Sequence, residues 1–273
     1  MKNECAVQMK SAMGPLLLDA SNEYDFDFPS ELLPLDKQNI PTLYDHSKKI
    51  VELIVQYKEM MMMYTCAIKE IRTRFEVLNA EFNVRHSRNP INSITTRMKR
   101  SSSLIEKMKK NHISLSLDNI EDNIDDVAGI RVICPYVDDI YQISQALINQ
   151  HDIELLSQKD YIANPKPNGY RSLHMIIRIP VHFENHLRQV KVEVQIRTIA
   201  MDFWATLEHE LKYKNQNFNE NEIISELKKC ADIISDADHK MLEIRKRIEN
   251  NPPERSEDEL LIEQIRKLDH PLM

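Results

Sequence analysis

One segment of the sequence combines a strand pattern with side chains that can exchange protons. In Val190–Thr198, four aliphatic residues alternate with Lys191, Glu193, Gln195 and Arg197. Because successive side chains of a strand point to opposite faces, these four polar groups share one face. Glu193 and Gln195, flanked by two cations, form a candidate acid–base and recognition row. An edge strand with a solvated face has the same pattern, and this alternative stays open.

A second carboxylate, Asp126, stands just before the short β-branched run that starts at Gly129. Asp126 and Glu193 could meet at neighbouring strand ends and share Mg²⁺, which typically takes one or two carboxylates together with substrate phosphates. Spacing alone leaves a turn or cap role open for Asp126, because other acids crowd nearby: Asp118, Glu121, Asp122 and Asp125.

The loop Tyr161–Tyr170 and the basic block 85–110 are candidate phosphate-binding segments. Two prolines stiffen the loop, and Gly169 permits an unusual backbone angle. Basic and aromatic side chains around it could clamp phosphates and stack on a base: Lys166, Tyr170, Arg171 and His174. The basic block contains Arg85, Arg88, Arg97, Lys99, Arg100, Lys107, Lys109 and Lys110. A rigid loop and a solvated helix face are the plainer interpretations of these two segments.

Composition excludes several classes of protein. The chain has 273 residues but only three glycines, Gly14, Gly129 and Gly169, so no glycine-rich Rossmann or Walker phosphate loop can form. A net charge of −7 argues against bulk nucleic-acid binding. The four cysteines are far apart in the sequence, which is typical of reduced thiols and not of a zinc site. We expect a cytoplasmic protein, since neither a signal peptide nor a long apolar run is evident.

The elements that must position these groups follow from hydrophobic periodicity. Residues 1–42 are interpreted as a flexible extension, 43–250 as the folded domain, and 251–273 as an acidic tail. Helices are predicted over about 45–82, 101–110 (with the serines at 101–103 as N-caps), 137–150, 199–214 and 221–250. Strands are predicted over Gly129–Tyr136, Ile153–Ser157, Ser172–Pro180 and Val190–Thr198. A small mixed sheet with helices before, within and after it makes an α+β domain.

Four motifs, in this order, resemble the RelA/SpoT synthetase domain: DVAGIR (126–131), PKPNGYRSLH (165–174), VEVQIRT (192–198) and MDFWATLEH (201–209). The resemblance covers about residues 45–245. RNPI at 88–91 and the extended last motif are similar in particular to the RelQ type of small alarmone synthetase. The resemblance implies a five-stranded, mixed and mostly antiparallel sheet with long N- and C-terminal helices, a nucleotidyltransferase-like fold.

The activity implied by this resemblance is transfer of the β,γ-pyrophosphoryl group of ATP to the 3′-hydroxyl of GDP or GTP, with Mg²⁺ as cofactor. Asp126 matches the family's metal ligand, and Glu193 matches the acid that activates the hydroxyl and approaches the metal. The matching ATP contacts are Arg97, Lys99, Ser103, Lys107 and Arg131. The matching GDP or GTP contacts are Lys159, Lys166, Tyr170, His174, Gln195 and Asp202. Asp202 stands where some relatives carry asparagine.

RelQ-type relatives are homotetramers whose central cleft can bind the pentaphosphate product, and Lys69, Arg72 and Thr95 match that cleft. Ser93 stands where a stacking phenylalanine can occur, so a tetramer without strong activation is expected. His151-Asp152 is an HD dipeptide without the pattern of a hydrolase site, so synthesis alone is expected. A silent nucleotide- or RNA-binding regulator with this fold, and a transferase that releases pyrophosphate instead of AMP, are the competing functions.

Overall fold

The computed structural model describes Phe28, Pro29, Leu32 and residues 43–214 and 220–251. Nearly all of the predicted extension (1–42) and of the predicted acidic tail (251–273) lies outside these described residues. The chain divides into two compact units, residues 1–62 and 63–273. In the first unit the ring of Phe28 packs edge-on against that of Tyr57, with the ring centroids 5.3 Å apart. The second unit contains the sheet.

Five strands form one mixed sheet, as the predicted fold class requires. They are β1 (Ser93–Met98), β2 (Ala128–Cys134), β3 (Glu154–Asp160), β4 (Leu173–His182) and β5 (Leu187–Thr198), in the spatial order β1-β2-β5-β4-β3. Among these strands, β2 and β5 pair in parallel and the other three pairs are antiparallel. Since β5 lies at the centre of the sheet, the edge-strand interpretation of Val190–Thr198 is wrong.

Six helices accompany the strands in the described residues. They are α1 (Leu43–His86), α2 (Ser101–Lys110), α3 (Leu117–Asn123), α4 (Val137–Ile148), α5 (Ile199–Lys214) and α6 (Glu220–Asn250). The helices predicted from periodicity are all present, whereas α3 and β1 had no counterpart in the periodicity. The predicted serine caps of α2 are wrong: Arg100 occupies the N-cap position without a side-chain cap, and Ser101 is already helical. No helix in the described part of the chain is long and apolar enough to cross a membrane.

The core follows from strict alternation along β4 and β5. Met175, Ile177, Val192, Val194 and Ile196 are completely buried, while the residues between them are only half-buried. Each such aliphatic side chain contributes about 1.5–3 kcal/mol of transfer free energy. The apolar face thus fixes the register of the strands, because a slip by one residue would expose the whole set. The polar row of β5 is thereby held on the opposite face.

A smaller cluster joins the two C-terminal helices. Trp204, Ala205, Leu227 and Ala231 are buried together, and Tyr170 packs against them. The indole Nε1 of Trp204 donates a hydrogen bond to the carbonyl oxygen of Leu227 over 3.0 Å. The cluster therefore ties the loop Tyr161–Tyr170 between β3 and β4, which we call the tyrosine loop, to α5 and α6.

Candidate active site

Asp126 lies at the entrance of β2 between two lysines. The Nζ atoms of Lys99, just after β1, and Lys107, on α2, each donate to a different carboxylate oxygen of Asp126 over 2.7 Å. The backbone N–H of Lys99 also donates to the carbonyl of Val127, which fixes the chain beside the carboxylate. Burial alone would raise the pKa of Asp126, but the hydrogen bonds and charges of Lys107 and Lys99 outweigh it and lower this pKa. The carboxylate is therefore ionised at neutral pH.

Glu193 lies on β5 directly opposite Gly129 of the parallel neighbour β2. Its Oε2 accepts hydrogen bonds from Nη2 of Arg97 over 3.3 Å and from Nε2 of Gln195 over 3.0 Å. Its Oε1 lies 3.6 Å from Nδ1 of His174 on β4. A Cβ atom on Gly129 would lie 3.3 Å from Cγ of Arg97 and 3.8 Å from Oε2 of Glu193. The missing side chain of Gly129 therefore keeps open the space in which these two groups meet.

The environment of Glu193 keeps it ionised. Burial, the largest influence, favours the protonated acid, and the nearby charge of Asp126 acts in the same direction. The adjacent imidazole of His174 and the charge of Arg97 outweigh both, so the pKa of Glu193 is lowered. Asp126, at the entrance of β2, and Glu193, opposite Gly129 on β5, thus belong to neighbouring strands of the sheet.

A cleft of about 130 Å³ opens over this row of the sheet. Its walls come from Thr95, Thr96 and Arg97 of β1, Gly129, Ile130 and Arg131 of β2, and Glu193 and Gln195 of β5. Two guanidinium groups and one carboxylate thus face the same space. Such a cleft can hold a flat ring between cations with its charged tail near Asp126 and the two lysines.

The tyrosine loop brings a second group of side chains to the other side of Glu193. The hydroxyl of Tyr170 and Nε2 of His174 are 2.8 Å apart, and Nζ of Lys166 lies 4.7 Å from the ring centroid of Tyr170. Tyr161, the first residue of the loop, contacts Lys166 and His174. Nζ of Lys166 lies 4.7 Å from the ring centroid of Tyr161, and the rings of Tyr161 and His174 are edge-on with their centroids 5.2 Å apart. The sequence pattern had used Tyr161 only to mark the start of the loop. Lys159 on β3 pairs with His174 in the strand register, so the two share a face.

The remaining predicted residues are more scattered. Ser103 is half-buried in the first turn of α2. Lys69 and Arg72 are exposed on α1, where Arg72 pairs with Glu76 at 2.8 Å, whereas Thr95 lines the cleft beside Glu193. Asp152 of the HD dipeptide forms an ion pair with Arg74 at 2.6 Å.

The sequence pattern includes Arg197 only as a cation that flanks Glu193 and Gln195. The strand pattern placed its side chain on the polar face, yet the residue is only 4% exposed. Its guanidinium contacts Tyr170, Gln195 and Asp202, and Asp202 in turn forms an ion pair with Arg131 at 3.3 Å. The alternation along β5 did place Arg197 in the same row as Glu193 and Gln195. It could not predict that Arg197 is buried, because Tyr170 and Asp202, which contact its guanidinium, come from other segments.

The carboxylate oxygens of Asp126 and Glu193 are candidate ligands for Mg²⁺. Within the described residues no group of three or more His, Cys, Asp or Glu side chains is arranged to hold a metal. The ionised carboxylates of Asp126 and Glu193 nevertheless suit this ion, which commonly binds one or two carboxylates and completes its shell with phosphates and water. The donor set fits a metal that binds together with a phosphate substrate.

Comparison with known proteins gives consistent matches. Residues 96–218 match the family described as "Region found in RelA / SpoT proteins". The chain is 38% identical over 204 residues to the GTP pyrophosphokinase YwaC of Bacillus subtilis (strain 168), covering 75% of this chain and 97% of that protein. The crystal structure of small alarmone synthetase 1 of B. subtilis bound to its product pppGpp is 33% identical, with a TM-score of 0.64 over 71% of this chain and 98% of that one. The same enzyme bound to AMPCPP is 29% identical, with a TM-score of 0.59 over the same shares of the two chains.

Proposed function

Because this chain belongs to the RelA/SpoT family, we propose that it is a small alarmone synthetase that moves the β,γ-pyrophosphoryl group of ATP to the 3′-hydroxyl of GDP or GTP. The observation that carries this proposal is the cleft lined by Arg97, Arg131 and Glu193, with Asp126 and its two lysines at the entrance of β2.

In the proposed reaction the 3′-hydroxyl oxygen of the acceptor attacks the β-phosphorus of ATP. A new P–O bond forms, the bond between the β-phosphorus and the α-phosphate oxygen breaks, and AMP leaves with that electron pair. The hydroxyl proton passes to the carboxylate of Glu193. Transfer of this kind depends mainly on alignment and charge stabilisation, to which a positioned base adds about 10²–10⁴ in rate.

The donor nucleotide fits the cleft side. We assign adenine to the space between Arg97 and Arg131, and the triphosphate to Lys99, Ser103 and Lys107. Both lysines form ion pairs with Asp126. This pairing keeps the cations close to where the phosphates bind and offsets their mutual repulsion.

The acceptor nucleotide fits the loop side. We propose that guanine stacks on the ring of Tyr170 and that Gln195 and Asp202 lie beside it. The phosphates of the acceptor nucleotide are assigned to Lys159, Lys166 and His174. Tyr170 is half-buried and has Lys166 over its ring, so stacking uses a surface that is already held in place.

Mg²⁺ completes this proposal as cofactor, held by Asp126 and Glu193. When bound with the phosphates, it would supply positive charge that offsets the repulsion between two polyanionic substrates. Lys99 and Lys107 would then exchange their contacts with Asp126 for contacts with phosphate oxygens.

The direct test incubates the purified chain with ATP, GDP and Mg²⁺ and separates the nucleotides by chromatography. Guanosine tetraphosphate and AMP are expected in equal amounts. Release of pyrophosphate in place of AMP would instead identify a nucleotidyltransferase. Binding of both nucleotides without either product would identify a silent nucleotide-binding protein. Running the assay with GTP in parallel establishes the preferred acceptor.

A homotetramer with an effector cleft is the further proposal for this family type. Lys69, Arg72 and Thr95 are the residues assigned to that cleft, and Ser93, at the start of β1, lacks an aromatic ring for stacking.

We therefore predict that pentaphosphate added to the assay changes the initial rate by less than about twofold, because a ligand without a stacking contact has little differential affinity for an active state. Initial rates over a pentaphosphate titration check this prediction. A steep rise in rate would contradict it.

A further inference from the structure

A continuous chain of polar contacts runs from the donor side of the cleft to the acceptor side. Arg131, assigned to adenine, is at one end, and Tyr170, assigned to guanine, is at the other. Between them stand Asp202, in the first turn of α5, and Arg197, the buried arginine near the end of β5. The four side chains thus connect β2, α5, β5 and the loop before β4.

Arg197 holds the acceptor end. Its Nη2 donates to the hydroxyl of Tyr170 over 2.5 Å and to Oε1 of Gln195 over 3.0 Å. Its guanidinium carbon lies 5.1 Å from the ring centroid of Tyr170. Because the residue is only 4% exposed, its planar fork is fixed in one orientation, and the orientation of the tyrosine follows from it.

Asp202 joins this fork to the donor end. Its Oδ1 lies 3.2 Å from Nη1 of Arg197 and 3.3 Å from Nη1 of Arg131. Burial, followed by the positive charge of Arg197, lowers the pKa of the Arg131 guanidinium. Two like charges face each other here, and the single carboxylate oxygen between them holds both.

We propose that Asp202 and Arg197 are positioning residues that couple the two nucleotide sites, so that occupation of the donor site tightens binding at the acceptor site. This inference rests on the proposed assignment of the two sites. A donor that packs on Arg131 fixes the guanidinium, and Arg131 then holds Asp202, Arg197 and Tyr170 in the arrangement that the acceptor needs. By linkage, the acceptor tightens donor binding by the same factor.

The experiment measures the Kd of GDP for the full chain by titration calorimetry, without and with saturating AMPCPP in the presence of Mg²⁺. AMPCPP resists cleavage at the bond that the reaction breaks, so binding is observed without turnover. For the unaltered chain we expect AMPCPP to lower the Kd of GDP by at least fivefold, within the usual range of coupling between sites. The reverse titration, AMPCPP with and without GDP, should give the same factor.

Asp202→Ala breaks the chain of contacts at its centre, and Tyr170→Phe breaks it at its end while keeping the ring. Asp152→Ala is the matched control, because Asp152 also pairs with an arginine and its side chain is 27% exposed, against 28% for Asp202. We expect the coupling factor to fall below twofold in both site variants and to stay unchanged in the control. The double variant should lose no more coupling than either single variant.

Each outcome decides the proposal. A coupling factor retained by Asp202→Ala and Tyr170→Phe would overturn it, as would independent binding of the two nucleotides to the unaltered chain. A loss of more than tenfold in the affinity for either nucleotide alone would also overturn it, since these residues would then support each site separately. If the unaltered chain binds neither nucleotide, the proposed function itself fails.

Discussion

At the scale of the residue, Glu193 is the group on which the proposed chemistry depends. Glu193→Gln keeps the shape and the hydrogen bond from Arg97 but cannot accept the hydroxyl proton. We expect kcat to fall by about 10²-fold or more, while the dissociation constants of both nucleotides change less than about threefold. Steady-state rates together with calorimetry check this. Glu154→Gln, which removes an exposed partner of Arg178, is the control and should keep full activity.

The lowered pKa of Glu193 fixes the direction of its pH dependence. A carboxyl whose pKa is lowered stays a base as the pH falls, so the acid limb of kcat/KM should lie below the ordinary value of 4.5. The same shift stabilises the fold above the ordinary pKa, and this contribution disappears as the pH falls through the lowered one. Since His174 lowers the pKa of Glu193, His174→Ala should move the limb to higher pH. An unmoved limb in the pH–rate profile would show that His174 does not act on Glu193.

At the scale of the element, the loop before β4 depends on one backbone conformation. Gly169 has φ +89°, and a Cβ atom there would lie 2.5 Å from Cβ of Ala231 and 3.2 Å from Cα of Lys228 on α6. We expect Gly169→Ala to reduce the free energy of unfolding by about 2–4 kcal/mol, from a strained backbone and an overpacked contact. Urea unfolding measures this.

Gly129→Ala is the informative comparison for Gly169→Ala. Gly129 does not need a positive φ, and a Cβ atom there would meet Cγ and Nε of Arg97, an exposed side chain that can shift. Its unfolding free energy should change by less than about 1 kcal/mol, whereas the KM for ATP should rise because Arg97 is displaced. Equal losses of unfolding free energy in the two variants would contradict the prediction that only Gly169 has a conformation and surroundings that exclude a Cβ atom.

How much of the structure the sequence predicts also differs between elements. The alternation along β5 predicted its face correctly, because both its neighbours continue the apolar layer. Strand β1 was missed because SITTRM has few apolar side chains, and four of its six residues are exposed. Asp126 could not be distinguished from Asp118 or Asp125 by spacing, since only the fold brings Lys99 and Lys107 to it. The role of Arg197 was missed for the same reason: Tyr170 and Asp202 reach it from distant segments.

At the scale of the whole molecule, exposed apolar side chains support the proposed tetramer. Phe203, Leu207 and Leu211 repeat at four-residue intervals on α5 and are 59%, 43% and 48% exposed. Apolar stripes of this kind mark surfaces that other chains cover.

We expect light scattering to give four times the chain mass for the unaltered protein, and Leu207→Glu with Leu211→Glu to give smaller species. Val84→Glu, an equally conspicuous exposed apolar position at 73%, serves as the control on another helix and should leave the mass unchanged. A single-chain mass for the unaltered protein would contradict the proposal.

The central position of β5 makes the candidate site depend on a late segment of the chain. Among the strands of the described residues, β5 is the last to leave the ribosome, yet it inserts between β2 and β4, which are made earlier. Until then a nascent chain holds Asp126 and its two lysines but lacks Glu193, Gln195 and Arg197. Such long-range pairing forms slowly. A chain that ends before β5 therefore carries Asp126, Lys99 and Lys107 without the proposed base, and the candidate site is complete only when the centre of the sheet is filled.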